Sequence, residues 1–208
     1  MKILITGASG YLGFNFIEKY KDVFDIIALV KSEKSTMLKE FKNVKIEKAD
    51  ITKKGLLQLF NKHKPDVVLH LASLNQKELV VRDAFDVNVF GTFNVVQACL
   101  EIGAKLIFTS SREVYGNKSN TTSCKENSVL NPSNIYGITK MFGESIIRHS
   151  SKNNNLNFII LRITNVYGPN GDKGLNKILT DAINKNKITI LGGEQEINPI
   201  YIEDVVEI

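Results

Sequence analysis

Short apolar runs alternate with longer amphipathic stretches along this chain. Residues 2–6, Lys-Ile-Leu-Ile-Thr, form a strand-length run, and a glycine turn separates it from a helical pattern that ends near Tyr20. Further strand-like runs lie at 25–31, 44–48, 66–70, 105–109 and 157–163. Helical patterns fill 53–62, 80–102 and 133–150. Strands separated in this way predict an α/β fold, a doubly wound parallel sheet with helices on both faces, over residues 1–167.

Beyond that point the pattern changes. Gly168-Pro169-Asn170-Gly171 reads as a turn, 175–184 as a helix and 188–191 as a short strand. Tyr201-Ile202-Glu203-Asp204-Val205-Val206 opens another helix just before the chain stops. Residues 168–208 therefore read as the start of a truncated substrate-binding lobe. The first strand begins at residue 2, which reads as a native amino terminus, and 116–131 is a polar loop.

A hydrophobic fraction of 43% and a charged fraction of 24% fit a soluble globular protein. Cys99 sits in an apolar helical stretch and Cys124 in a polar one, with neither spaced for a metal or a disulfide, so a reducing cytoplasm is the expected setting. No apolar run approaches the ~20 residues of a membrane helix. The net charge of +5 comes from dispersed lysines, which read first as a solvated surface and second as attraction for anionic ligands. No nucleic-acid recognition motif accompanies them.

Thr6-Gly7-Ala8-Ser9-Gly10-Tyr11-Leu12-Gly13 joins the first strand to the first helix. Glycines there allow a tight turn and let a pyrophosphate approach backbone N–H groups at a helix N-terminus, as in a Rossmann-type domain. The second strand ends Leu29-Val30-Lys31-Ser32 without the acid that usually meets the adenosine ribose. Lys31 instead suits a 2′-phosphate and favours NADP(H), while Glu33 remains able to serve a ribose.

Tyr136 and Lys140 stand four residues apart and share one helical face. A lysine beside a tyrosine stabilises the phenolate and so suits it for proton transfer near neutral pH. Upstream, Thr109-Ser110-Ser111 sits at the C-terminal end of a strand, where open α/β sheets bind ligands. A hydroxyl there is placed to hold the oxygen on which the tyrosine works.

Taken in order, these motifs resemble the extended short-chain dehydrogenase/reductase family, in its branch of nucleotide-sugar epimerases, dehydratases and reductases. The resemblance rests on the glycine turn at Gly7, Gly10 and Gly13, on Asp50-Ile51, on His70-Leu71-Ala72-Ser73, and on Asn88-Val89-Phe90-Gly91-Thr92. It continues through Ser110-Ser111-Arg112-Glu113-Val114-Tyr115-Gly116, Tyr136 with Lys140, and Arg162-Ile163-Thr164-Asn165-Val166-Tyr167-Gly168-Pro169. It implies a catalytic triad of Ser111, Tyr136 and Lys140. It implies cofactor contacts at Gly7, Ser9, Gly10, Tyr11, Leu12, Gly13, Lys31, Asp50, Ile51, Leu71, Ala72, Ser73 and Asn88, besides Tyr136 and Lys140. Substrate contacts fall at Ser111, Arg112, Glu113 and Asn165, and no metal is implied.

The resemblance further implies hydride transfer between a sugar carbon and NAD(P), a nucleotide-sugar substrate, and a homodimer formed through 80–102 and 133–150. Two departures stand out. Dehydratases of the family carry Asp-Glu where this chain has Arg112-Glu113, which leaves Glu113 for a structural bond to nearby backbone. The arginine usual before Tyr-x-x-Asp is absent from Glu194-Gln195-Glu196-Ile197-Asn198-Pro199. A 4-epimerase and a 4-ketoreductase remain open, beside a dinucleotide-binding module without catalysis.

Overall fold

The computed structural model describes residues 1–32, 36–75, 80–120, 123–171, 174–186, 188 and 197–208. Strands β1 (Lys2–Thr6), β2 (Asp25–Val30), β3 (Val44–Lys48), β4 (Val67–His70), β5 (Lys105–Ser111) and β6 (Phe158–Ile163) form one parallel sheet, ordered β3-β2-β1-β4-β5-β6. Successive side chains of a strand point to opposite faces, and here both faces are apolar. Leu4, Ile27, Leu29, Val68 and Leu106 build one core; Ile3, Ile5, Ile26, Ala28 and Val30 build the other.

Helix α1 (Tyr11–Tyr20) covers the second core through Ile17. The first is covered by α2 (Leu56–His63) through Phe60. The predicted helix at 80–102 divides into α3 (Val81–Phe85), a π-helical turn at Asp86–Gly91 and α4 (Thr92–Ile102), which adds Val96 and Cys99. Helix α5 (Ile135–Asn154) adds Ile147.

The chain winds one way from β1 through β2 to β3 and the other way from β4 to β6. Connections therefore diverge between β1 and β4, and a crevice opens at the C-terminal ends of those strands. Strand β5 runs two residues past its predicted end because Ser110 and Ser111 pair with Arg162 and Ile163 of β6.

A second sheet was not foreseen. Strands β7 (Asn165–Tyr167) and β8 (Pro199–Tyr201) pair in parallel, with α6 (Leu175–Lys185) between them. Three-residue strands are too short to show a period of two. The Tyr167 and Tyr201 rings meet across the pair at 5.5 Å. Helix α7 (Ile202–Glu207) then buries Ile202, Val205 and Val206 and packs on α1, where Lys19 and Glu207 form an ion pair. Of the strand read at 188–191, only residue 188 lies within the described residues. No helix among the described residues is long and apolar enough to cross a membrane.

Candidate active site

The glycine turn follows β1 directly. Gly7 takes φ +70°, and a Cβ on it would lie 2.6 Å from the Ala72 backbone N. A side chain at Gly13 would meet Gly7 O at 2.7 Å. The three glycines thus let the turn close against the end of β4, with Gly10 N–H donating to Gly7 O at 2.9 Å. Helix α1 starts behind Gly10 with no side-chain cap and no acid in its first turn. Its first N–H groups are left for an anion, and the turn fits a dinucleotide pyrophosphate. Ser9 is exposed beside them, Leu12 packs towards the sheet, and the Tyr11 hydroxyl reaches Gly168 near the second sheet.

Lys31 is not a free cation. Its Nζ, read from the sequence as suited to a 2′-phosphate, lies 3.0 Å from an Asp50 carboxylate oxygen. Burial alone would raise the Asp50 carboxyl, but the Thr52 N–H and hydroxyl, together with Lys31, hold it below its ordinary value. Ile51 is buried in the core and its carbonyl accepts from Asn94 at 2.8 Å, so Asp50 is the polar member of that pair. Glu33 and residues 194–196 lie outside the described residues.

At the end of β4, Leu71 N–H donates to Thr6 O at 3.1 Å and the Ala72 backbone lies against Gly7, while Ser73 reaches the Tyr136 phenol. Asn88 is 1% exposed, and its amide is engaged by protein. It accepts from Leu74 N–H at 2.7 Å and donates to Leu74 O at 3.0 Å and to Thr139 at 2.9 Å. This residue, read as a cofactor contact, stands in the structure as a bracket between the β4 loop and α5.

The hydroxyl cluster divides by strand alternation. Ser110 turns to Glu144 at 2.6 Å, whereas Thr109 and Ser111 share the other side of β5. Ser111 Oγ accepts the Glu113 N–H at 3.2 Å, and among the described residues its own proton is given to no acceptor. Glu113, read as making a structural bond to nearby backbone, bonds a side chain among the described residues. It accepts from the Asn134 side chain at 2.7 Å, and Asn134 in turn caps α5 by accepting Gly137 N–H at 2.8 Å. Gly137 permits this approach, since a Cβ there would lie 2.5 Å from Glu113 O. Arg112 lies beside Glu113, at 3.8 Å. Asn165 is exposed on β7.

Lys140 is 2% exposed and donates to Thr109 O at 2.7 Å. Its Nζ stands 5.7 Å from the centre of the Tyr136 ring. Burial pulls the lysine down to about 7. The Tyr136 phenol is held above its ordinary value, chiefly by burial; Ser73 opposes this and the Glu113 charge adds to it. The lowered phenol expected from the Tyr-Lys spacing is therefore not a property of the protein alone. Desolvation dominates at the phenol, and the Lys140 ammonium gives one of its protons to the Thr109 carbonyl.

Two groupings were missed from the sequence. Glu144, 1% exposed, is gripped by Arg162 through Nε at 2.9 Å and Nη2 at 2.7 Å, and Arg162 also reaches the Tyr115 hydroxyl and Glu126 O. Four helical residues from Lys140, an acid on the same apolar face was the available signal. His70, fully buried, was noted only as part of a motif.

Burial drives His70 down to about 3, with the Lys140 charge adding to the effect. An unfolded histidine takes up its proton near pH 6.5, so the unfolded state binds more protons below that pH and stability falls with pH. Cofactor-free protein is expected to lose about 1 kcal/mol between pH 6.5 and 5.5 from this group. Urea unfolding at the two pH values measures it; a dependence unchanged in His70→Gln would show that another group is responsible.

A doubly wound parallel sheet with a glycine turn after its first strand is a Rossmann-type α/β domain. Residues 3–208 match the model of the NAD dependent epimerase/dehydratase family, and the chain belongs to that family. A dTDP-D-glucose 4,6-dehydratase of Dictyostelium discoideum is 32% identical over 234 residues, covering 99% of this chain and 54% of that protein. A putative UDP-glucose 4-epimerase of Methanocaldococcus jannaschii is 31% identical, covering 99% and 71%. The structure is similar to that of UDP-glucuronic acid 4-epimerase from Bacillus cereus in complex with UDP-glucuronic acid and NAD. The TM-score is 0.89 at 25% identity, covering 99% of this chain and 71% of that one. The chain thus spans about half to seven tenths of the length of these relatives.

Proposed function

We propose that this chain is the cofactor-binding part of a nucleotide-sugar 4-epimerase that uses NAD, with Ser111, Tyr136 and Lys140 as its catalytic residues. The observation that carries the reading is the buried Lys140, bonded to Thr109 O at 2.7 Å and 5.7 Å from the Tyr136 ring, at the strand ends beside the glycine turn. The reading makes Ser111 the donor to the sugar 4-oxygen and Tyr136 the group that takes and returns its proton. Lys140 has two further N–H donors to hold a ribose hydroxyl, and its charge favours the phenolate. NAD, when bound, supplies a hydride acceptor and the means of returning the hydride to the opposite face. Gly7, Gly10 and Gly13 with the open end of α1 would hold its pyrophosphate.

The pairing of Lys31 with Asp50 supports NAD over the NADP(H) read from the sequence, because a 2′-phosphate would approach the Asp50 carboxylate as well as the lysine. The relatives are named for both epimerisation and 4,6-dehydration. Epimerisation is favoured because Arg112 stands where a dehydratase has its acid and the Glu113 carboxylate is bonded to Asn134. A 4-ketoreductase would instead exchange NADPH in each cycle. The buried thiol of Cys99 supports a reducing, cytoplasmic setting. Val81, Phe90, Phe93 and Phe142, exposed on α3–α5, support a homodimer. Light scattering at the mass of the single 23.3 kDa chain would remove that part of the reading.

Calorimetric titration with NAD and with NADPH, at one fixed salt concentration, tests the assignment. NAD is expected to bind at least about tenfold more tightly, a difference of about 1.4 kcal/mol. Tighter NADPH binding moves the reading to the ketoreductase. No binding of either leaves the glycine turn as scaffold.

A further inference from the structure

We propose that His70 is a positioning residue that joins the phosphate-binding turn to the helix carrying Tyr136 and Lys140, through a one-way line of hydrogen bonds passing across its ring. The inference rests on the cofactor reading above and extends it to a residue that touches neither cofactor nor substrate.

The direction of the line follows from the hydroxyl partners. Thr92 Oγ1 has one proton and donates it to Asn88 O at 2.7 Å. It lies 3.0 Å from His70 Nε2, so that nitrogen carries the hydrogen and donates to Thr92. In the neutral ring Nδ1 is then an acceptor. It faces Thr6 Oγ1 at 2.6 Å, and Thr6, which accepts the Ala72 N–H at 3.2 Å, has its proton free to give. Each group in the sequence Ala72, Thr6, His70, Thr92, Asn88 has one role. The side chains of Thr6, His70 and Thr92 are shielded from water, where such bonds are strong and an unmade one is costly.

Both ends of the line reach the proposed machinery. Thr6 immediately precedes Gly7, and Ala72 is the residue against which Gly7 closes. At the far end the Asn88 amide holds Thr139, whose hydroxyl donates to Tyr136 O at 2.8 Å. A second route leaves from the His70 backbone: its carbonyl accepts from the Thr109 hydroxyl at 3.1 Å, and Thr109 O accepts from Lys140. Phenylalanine would fill the space beside Phe108, which packs on the ring at 5.6 Å, yet would leave Thr6 and Thr92 without their shared partner.

A positioning role predicts that remote ends of the line are coupled in ligand affinity. The test is a double-mutant cycle of Thr6→Val and Thr139→Val on the NAD dissociation constant, measured by calorimetry in the wild-type and His70→Phe backgrounds. The expected result is non-additivity of about threefold in the wild type, lost in His70→Phe. If His70→Phe fails to fold, Thr92→Val takes its place, since it removes the acceptor of the Nε2 proton and leaves the ring. A residue with only a packing role would lower the melting temperature and leave the affinities additive, and that outcome overturns the proposal. Wild-type protein that binds no NAD overturns the cofactor reading and this one with it; binding with additive variants overturns this one alone.

Discussion

Tyr136→Phe is expected to lower turnover of a nucleotide sugar by about 10²–10⁴-fold, the range typical of losing one positioned acid–base group. NAD affinity should stay within about threefold, because the phenol oxygen is the only atom removed and Ser73 is its protein partner. Stability should change little. The pH dependence carries a further sign. Burial and the Glu113 charge hold the phenol above its ordinary value in the cofactor-free protein, so accepting a proton requires positive charge nearby. Lys140→Met is therefore expected to move the rising limb of the rate profile to higher pH. Steady-state rates of both variants across pH decide the matter, and a Tyr136→Phe protein with wild-type turnover would end the catalytic assignment.

Arg162→Met is expected to destabilise the fold by about 3–5 kcal/mol, the range for removing one partner of a buried ion pair. The reason lies in what remains. Glu144 is 1% exposed, and burial alone would push its carboxyl up; Arg162, Ser110 and the more distant Arg148 outweigh that and hold it below its ordinary value. With Arg162 gone, the buried charge keeps the Ser110 hydroxyl at 2.6 Å and only the half-exposed Arg148 at 3.6 Å. For a chain of this size the melting temperature should drop on the order of 10 °C. The pair Arg162→Met with Glu144→Leu should recover most of the loss, because both ends of the interaction are then apolar. A lowered folded-state value means that stability from Glu144 is present above its unfolded value and lost as pH falls through the folded one. The gap between wild type and Arg162→Met should accordingly narrow in acid. Denaturant unfolding at neutral and acid pH reads both effects. An undiminished stability in the single variant would show that the pair contributes nothing.

The glycine turn illustrates how far adjacent residues carry information. Gly7, Gly10 and Gly13 are spaced for a strand-to-helix turn whatever surrounds them, and the turn formed where the pattern placed it. The strands at Lys2–Thr6 and Val44–Lys48 match their apolar runs residue for residue. Lys31 shows where such reading stops. Its neighbours in sequence say nothing of Asp50, which folding brings within 3.0 Å and which changes the charge offered to a nucleotide. Ser110 and Ser111 look alike in sequence, and only the sheet sends one to Glu144 and leaves the other at the strand end.

Alternating apolar periods, turn glycines and a four-residue helical spacing are properties of neighbours, so the chain by itself determined its α/β order, its glycine turn and the closeness of Tyr136 to Lys140. Protonation, tautomer and charge balance depend on groups distant along the chain: Thr6 and His70 stand 64 residues apart, and Arg162 and Tyr115 stand 47 apart. Tertiary structure alone decided what surrounds the Tyr136 phenol, the Lys31 ammonium and the buried His70 ring. Desolvation and long-range hydrogen bonds act on each of these, and neither exists until the sheet has closed over them.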